Sequence, residues 1–404
     1  MKGGAVFRAL RYPDFFWFWT SYFVSNVGAW MQNVAQGWLL FEITDSPLYL
    51  GLFSLLRTVM LFCFFVLGGL MADRWDRRLV MIWIQVVSLA TALILAVLVS
   101  WDAIRVWHLF VFGAVTSTAW AFEQPVRQSL IPRLVSREDL VNALALNSIT
   151  WQGAGLLGPA LFGLLVDSVG VDGCFYINAV SYFAIIGALF RMHIPPQTAE
   201  PERMRMVESL FDGLRYIRRQ KLILTLLIGS SCVSIFGRSY IILLPVFAKD
   251  VLQVGASGLG FISAAPGLGT IIGALSLAAL GQVKVTRRAL LAILCGIAVA
   301  LFVFAMSRHF SAALPMLVVV GALSTVFDTL LHTVIQLTVT DSYRGRVMGV
   351  YGLSAAGMRE FGGMQAGFLA EWAGAPFAIE AGAVVLLLAA LFFFAPQLKK
   401  MTET

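Results

Sequence analysis

The chain has 404 residues, 59% hydrophobic and 13% charged, with 29 Lys and Arg against 22 Asp and Glu for a formal net charge of +7. Soluble domains carry about 25% charged residues, so this composition and a mean hydropathy of +0.84 exclude an ordinary water-soluble fold. The four cysteines, Cys63, Cys174, Cys232 and Cys295, are scattered without metal-ligand spacing, so they read as packing residues and no metal or cofactor is expected.

A bilayer core about 30 Å thick requires about 20 apolar residues per helix. Stretches of that length recur at roughly 15–41, 46–72, 79–100, 105–130, 141–167, 173–192, 221–248, 256–281, 288–307, 310–339, 346–371 and 375–396. The expected fold is therefore an all-α integral membrane protein with twelve transmembrane helices. The first stretch follows Lys2, Arg8 and Arg11 without a small-residue cleavage site and reads as an uncleaved span.

The most informative turn joins the second and third spans. Residues 68–78, GGLMADRWDRR, place Asp73, Arg74, Asp76, Arg77 and Arg78 between two apolar runs. Short loops rich in Lys and Arg mark the cytoplasmic side. That side, taken as the N-terminus, the turns at 73–78, 127–137, 191–221, 284–288 and 344–346, and the tail, holds 23 of the 29 cations, whereas the opposite loops hold Arg105, Lys249 and Arg308. Both termini are therefore expected in the cytoplasm. The basic balance reflects topology and contact with anionic lipid, not nucleic acid, for which no basic surface domain exists.

Residues 193–220 form the longest polar segment. Pro195, Pro196 and Pro201 precede an amphipathic stretch in which Val207, Leu210, Phe211, Leu214 and Ile217 recur at helical spacing among cations, as in a helix lying on the membrane surface. It divides the chain into a six-helix half at 1–194, a linker at 195–220 and a second six-helix half at 221–404. The halves read as repeats. A shift of 205 places Glu123 on Asp328, Arg127 on His332, Ser136 on Asp341 and Gly158 on Gly363, and Arg77–Arg78 correspond to Arg287–Arg288. Two pseudo-symmetric six-helix halves are a transporter plan, with substrate bound near the bilayer midplane. Glycines concentrate in the second, fifth, eighth and eleventh spans, where small residues allow close helix approach, and Gly158–Pro159 is expected to break the fifth.

These motifs carry a resemblance. GGLMADRWDRR resembles the loop signature of the major facilitator superfamily, with Asp76 where glycine is usual. FEQPVRQSLIPRLVSREDLVNALALNS (122–148), GLLGPALFGLL (155–165) and YRGRVMGVYGL (343–353) are similar to the branch containing enterobactin-type siderophore exporters and macrolide efflux proteins. The resemblance implies alternating access, often driven by proton antiport, in a bacterial inner membrane. The Gly-Pro element resembles the antiporter motif, with Ala154 in the place of a glycine. One chain with twelve spans already completes a two-lobed carrier, so a monomer is expected.

Charges inside the spans are the candidates for chemistry, because an ionisable group at the bilayer centre costs at least about 2.5–3.5 kcal/mol and normally faces a partner or a wet cavity. Asp73, Arg74, Arg77, Arg78, Glu123 and Arg127 form a candidate cytoplasmic gate. Within it Asp73 is expected to pair with Arg127 and to face the start of the eleventh span near Gly345, and Arg77 and Arg78 mainly hold topology. Asp328, His332 and Glu360 are candidate proton carriers, since relays in transporters use Asp, Glu and His. They equally suit structural ion pairs. Asn26, Asn33, Gln36, Arg57, Ser234, Arg238, Thr325 and Arg359 are candidates for the substrate cavity, with Arg57, Arg238 and Arg359 outnumbering Glu360 and so favouring an anionic substrate. Arg359 and Glu360 are adjacent, about 100° apart on a helix, and are not expected to cancel. Trp30 and Trp38 read as membrane-interface residues. No HExxH, GxSxG or phosphate-loop pattern appears, so an enzyme is not expected and energy must come from a gradient.

The resulting expectation is a proton-coupled exporter of a small siderophore-like or drug-like molecule; an importer of a small metabolite is the alternative, because the fold runs in both directions. Asp73→Asn should cripple transport while leaving membrane insertion intact. Flux in vesicles carrying matched amounts of each protein checks this, and normal flux would refute the gate.

Overall fold

In the computed structural model, residues 7–74, 76–192, 206–281 and 285–394 are described, with side chains omitted at 65–74, 206–211, 287, 353, 355, 356, 393 and 394. The proline-rich part of the linker, Lys284 and the Lys399–Lys400 tail lie outside the described residues.

Among these residues the chain is helical throughout, in the order α1 (Pro13–Thr44), α2 (Pro47–Arg74), α3 (Arg77–Ser100), α4 (Val106–Leu134), α5 (Leu140–Arg191), α6 (Met206–Arg219), α7 (Lys221–Cys232), α8 (Tyr240–Val246), α9 (Gly255–Leu280), α10 (Arg287–Met306), α11 (Phe310–Thr338), α12 (Asp341–Ala373) and α13 (Ala375–Leu388). Eight stretches of the described residues are long and apolar enough to cross a membrane by length and composition. One is the 52-residue α5, which makes two passes because Gly170, at φ 76°, is non-helical inside it. Another joins α7 and α8 over Lys221–Val251. The more polar α1, α4 and α12 complete twelve spans.

Gly158–Pro159 does not break α5 as expected. The only non-helical residue within that helix is Gly170, and Pro159 sits inside it. A proline in a spanning helix is tolerated where its surroundings satisfy the freed backbone group. The break falls elsewhere. A π-turn at Val233–Gly237 follows α7, and Arg238 then departs from helical geometry at φ −122° and ψ −5°.

The chain divides into two compact units, residues 1–44 with 56–202, and 45–55 with 203–404. The short segment 45–55 falls in the second because its groups bond there. Ser46 Oγ donates to Glu371 Oε2 at 2.6 Å, the Leu48 amide donates to the same oxygen at 3.2 Å, and Lys249 pairs with Asp45 at 2.7 Å. In the first unit α1 packs along α5 and α3 packs on α4 and α5. In the second, α9 packs on α11, and α10 on α11 and α13.

One close approach is nearly the same in both units. A Cβ on Gly158 of α5 would stand 2.7 Å from the Val27 carbonyl oxygen of α1, and a Cβ on Gly362 of α12 would stand 2.3 Å from that of Ile235. Helices in lipid gain from such close backbone approach because no hydrophobic drive brings them together. Polar ends are tied similarly. Asp76 caps α3, accepting from the amides of Arg78 at 2.8 Å and Leu79 at 3.3 Å, which satisfies two donors the helix leaves unpaired. Arg77 donates to the Ser129 carbonyl of α4 and Arg78 to the Phe190 carbonyl of α5.

The amphipathic segment forms α6. Leu214 is exposed and Ile217 buried. Asp212 faces Arg346 at 3.5 Å and Tyr216 stacks on Tyr343 at 4.3 Å, both on α12. Gly158→Val and Gly362→Val should each destabilise the protein at the upper end of the about 1–3 kcal/mol typical of overpacking, because the obstacle is backbone. Thermal unfolding of the purified variants in detergent checks this.

Candidate functional site

The first unit holds a buried polar cluster around α4. Glu123 is hydrogen-bonded to Tyr22 of α1 and Gln85 of α3, with Arg127 beside it. Arg127 is 4% exposed. Its guanidinium donates to Gln124 and to Asn147 of α5, and lies 5.1 Å from the centre of the Tyr22 ring. Asn178 donates to Gln32 at 2.6 Å deeper in the same unit. Glu123 and Arg127 are thus brought together as their spacing predicts. The expected Arg127 partner, Asp73, and its neighbour Arg74 have side chains outside the described residues. Arg77 and Arg78 bind carbonyls at the ends of α4 and α5, a helix-tying role beyond topology.

Of the cavity candidates on α1, Asn26 and Gln36 are buried, and their amide nitrogens have no partner, whereas Asn33 is exposed. Arg57 is half-buried on α2. The interface reading of two tryptophans is corrected. Trp38 is buried, and Trp30 meets Trp151 of α5 edge-on at 5.7 Å, so both pack inside the unit.

The second unit builds its site at the break between α7 and α8. Arg238 forms an ion pair and hydrogen bond with Asp328 of α11. The Arg238 side chain is 20% exposed and that of Asp328 37%. Tyr240 and Tyr351 lie beside the guanidinium, and Tyr351 is hydrogen-bonded to Ser230. His332, one turn beyond Asp328, meets the Tyr351 ring edge-on at 5.8 Å. Two buried hydroxyls, Ser234 and Ser324, have no partner and sit four residues before Arg238 and Asp328 respectively. Thr325, a cavity candidate, donates to the Gly321 carbonyl at 3.0 Å and to Thr270 of α9 at 3.1 Å.

Arg359 and Glu360 do pair, contrary to expectation. Arg359 Nε and Nη2 both reach Glu360 Oε1, at 3.1 and 2.8 Å. The long arginine stem folds back along the helix and overcomes the angular separation of adjacent positions. Ser54 adds a hydrogen bond to Glu360 Oε2 at 2.8 Å.

Partners not foreseen from the sequence are Tyr22, Gln85, Gln124, Asn147 and Tyr351. The amides are visible as polar interruptions of apolar spans. The tyrosines carry no such signal, because an aromatic residue is ordinary in a span.

The sequence profile described as transmembrane secretion effector matches residues 5–404. The chain belongs to this family of major facilitator transporters. Members similar to it include the MFS-type transporter YfiS of Bacillus subtilis, 27% identical over 91% of this chain and 89% of that protein. The staphyloferrin A transporter of Staphylococcus aureus is 26% identical over 65% of this chain and 66% of its own. The enterobactin exporter EntS of Escherichia coli is 26% identical over 81% and 78%. In structure, the chain resembles a bacterial homologue of the human lysosomal transporter Spinster (TM-score 0.74, 15% identity, 98% of each chain). It also resembles a variant of the nucleoside transporter NupG (TM-score 0.76, 13% identity, 94% and 99%). These share the fold. The protein is accordingly a multi-pass membrane transporter of the major facilitator superfamily, similar to siderophore transporters and efflux pumps, and not an enzyme.

Removing one member of the Arg238–Asp328 pair strands the other. Asp328→Leu should cost about 1–3 kcal/mol, less than the ~3–5 kcal/mol of a fully enclosed pair, because Asp328 is 37% exposed. Adding Arg238→Met to the same chain should recover most of the loss, as a double-mutant cycle of thermal unfolding would measure.

Proposed function

We propose that the protein is a proton-coupled exporter of a small organic anion. It works by alternating access as a monomer in a bacterial inner membrane, with both termini cytoplasmic. The observation that carries this reading is Arg238. It is a cation mounted at a helix break inside the span Lys221–Val251, partly exposed, and held by a single acid. A guanidinium offers five donors in a fixed fork suited to carboxylates, and a charge at this depth is retained only where it has a partner or a task. Partnerless hydroxyls at Ser234 and Ser324 flank the pair along the chain, and supply neutral hydrogen-bonding groups for the rest of a ligand.

The names of two relatives support the outward direction. The enterobactin exporter and the multidrug efflux pump Tap of Mycolicibacterium fortuitum, 24% identical over 93% of this chain, are named for outward transport. Asp328 is the group placed to link the proton to the ligand, with His332 and Tyr351 alongside; Glu360 is engaged by Arg359 and Ser54. In the first unit the Glu123–Arg127 cluster remains the candidate gate element, together with Asp73 and Arg74.

Arg238→Gln should reduce export of anionic organic probes at least about tenfold, the scale of one lost charge-assisted contact of 1.4 kcal/mol or more, and should leave cationic dyes unaffected. Accumulation in cells with and without the gene, followed by flux in inverted vesicles, measures both. A preference for cations in the wild-type protein would remove the anionic assignment.

A further inference from the structure

We propose that α6 is a docking site for anionic phospholipid headgroups, and that a bound headgroup tightens the hold of α6 on α12. The site lies wholly in the second unit and is independent of the ligand that Arg238 takes.

The position of α6 is fixed at its end and along one side. Its last turn, with Arg218 and Arg219, passes through Gln220 directly into the apolar span that begins at Lys221. These cations therefore stand where headgroups meet hydrocarbon. On one side α6 lies against the first turns of α12. Gly213 is buried there, and a Cβ on it would stand 3.2 Å from Arg346 Cβ and 3.3 Å from the Arg346 carbonyl oxygen. Ile217, one turn later, is buried, and Tyr216 stacks on Tyr343. With about 3.6 residues per turn, positions 215, 218 and 219 fall on the side away from 213 and 217, with 214 at its edge. All four side chains on that side are exposed, and Leu214 among them is apolar. Among the described residues Arg218, Arg219 and Lys221 have no acidic partner.

Charge selects the occupant. A cationic edge beside an exposed leucine is how a helix rests in the interface, its apolar side chain among acyl chains and its cations at phosphates. The neighbouring span makes that phosphate a lipid's and not a soluble ion's. A zwitterionic headgroup brings its own cation, so the anionic headgroup is preferred by roughly fivefold per cation engaged. The second effect comes from Asp212, which stands between two arginines. It lies 3.9 Å from Arg215 on its own helix and 3.5 Å from Arg346 of α12. Both separations exceed the about 2.7–2.9 Å of a formed charge-assisted hydrogen bond. A headgroup phosphate that takes Arg215 leaves Asp212 to Arg346, and the contact between the helices closes. Because α12 also carries Tyr351, beside the Arg238–Asp328 pair, the lipid surface and that pair share one helix.

The test compares purified full-length protein in nanodiscs of phosphatidylcholine alone and of phosphatidylcholine mixed with phosphatidylglycerol. Amide exchange across 212–221 should slow at least about fivefold when phosphatidylglycerol is present. Arg218→Gln with Arg219→Gln should lose the slowing, and Arg218→Lys with Arg219→Lys should retain it. Arg105→Gln with Arg308→Gln, the same change of charge away from α6, should also retain it. Arg346→Gln should lose the slowing while native mass spectra still show phosphatidylglycerol retained over phosphatidylcholine. Slowing that persists in Arg346→Gln overturns the tightening and leaves the headgroup site standing. Equal exchange of the wild type in the two lipids overturns the whole proposal. So does slowing by inorganic phosphate in phosphatidylcholine alone, or its loss in the Arg105 and Arg308 control.

Discussion

A charge carried into hydrocarbon must have a partner, and this constraint organises both units. The cost of an unpaired ion at the bilayer centre is several kcal/mol, comparable with a large part of the 5–15 kcal/mol that stabilises a typical domain. Each described cluster meets it in its own way. Arg127 is enclosed by two amides and a tyrosine ring, Arg238 is met by an acid from another helix, and Arg359 folds back on its neighbour. Two of the elements that supply these partners, α1 for Glu123 and α11 for Arg238, also make close backbone approaches, to α5 at Gly158 and to α9 at Gly269.

The two repeats solve the problem with the same frame and different chemistry. Gly158 against Val27 and Gly362 against Ile235 are nearly the same approach, so the frame is shared. The acids Glu123 and Asp328 also correspond. Their cations do not. In the first unit the cation follows one turn later on the same helix; in the second a histidine takes that place and the arginine comes from the broken helix. The first repeat is thereby closed around its ion. The second keeps a pair whose acid is more than a third exposed.

Architecture was legible because it rests on patterns that extend over many residues. Runs of 20 apolar residues, clusters of cations in short loops and a repeated offset locate the spans without side-chain detail, and helices from Pro13 to Phe394 follow them closely. The proximity of Glu123 and Arg127 was legible for the same reason, since four residues make one turn. Interactions that depend on side-chain reach were not. Arg359 closes on Glu360 because its stem is long enough to turn, Thr325 bonds across to Thr270, and Trp30 and Trp38 pack inward. Pro159, the expected breaker, lies inside continuous helix. The break falls at the π-turn before Arg238, where Gly237 alone among Val233–Gly237 is a breaker residue.

That break has a kinetic meaning. Arg238 sits on a residue outside helical geometry, next to a turn wider than an α-helix. Its charge can be redirected by torsions of one side chain and the adjoining backbone, while the helices keep their packing. Side-chain torsions relax in picoseconds to nanoseconds, whereas collective shifts of packed helices take microseconds to milliseconds. Reorientation of that charge and any shift of the packed helices are thus separated by orders of magnitude in time.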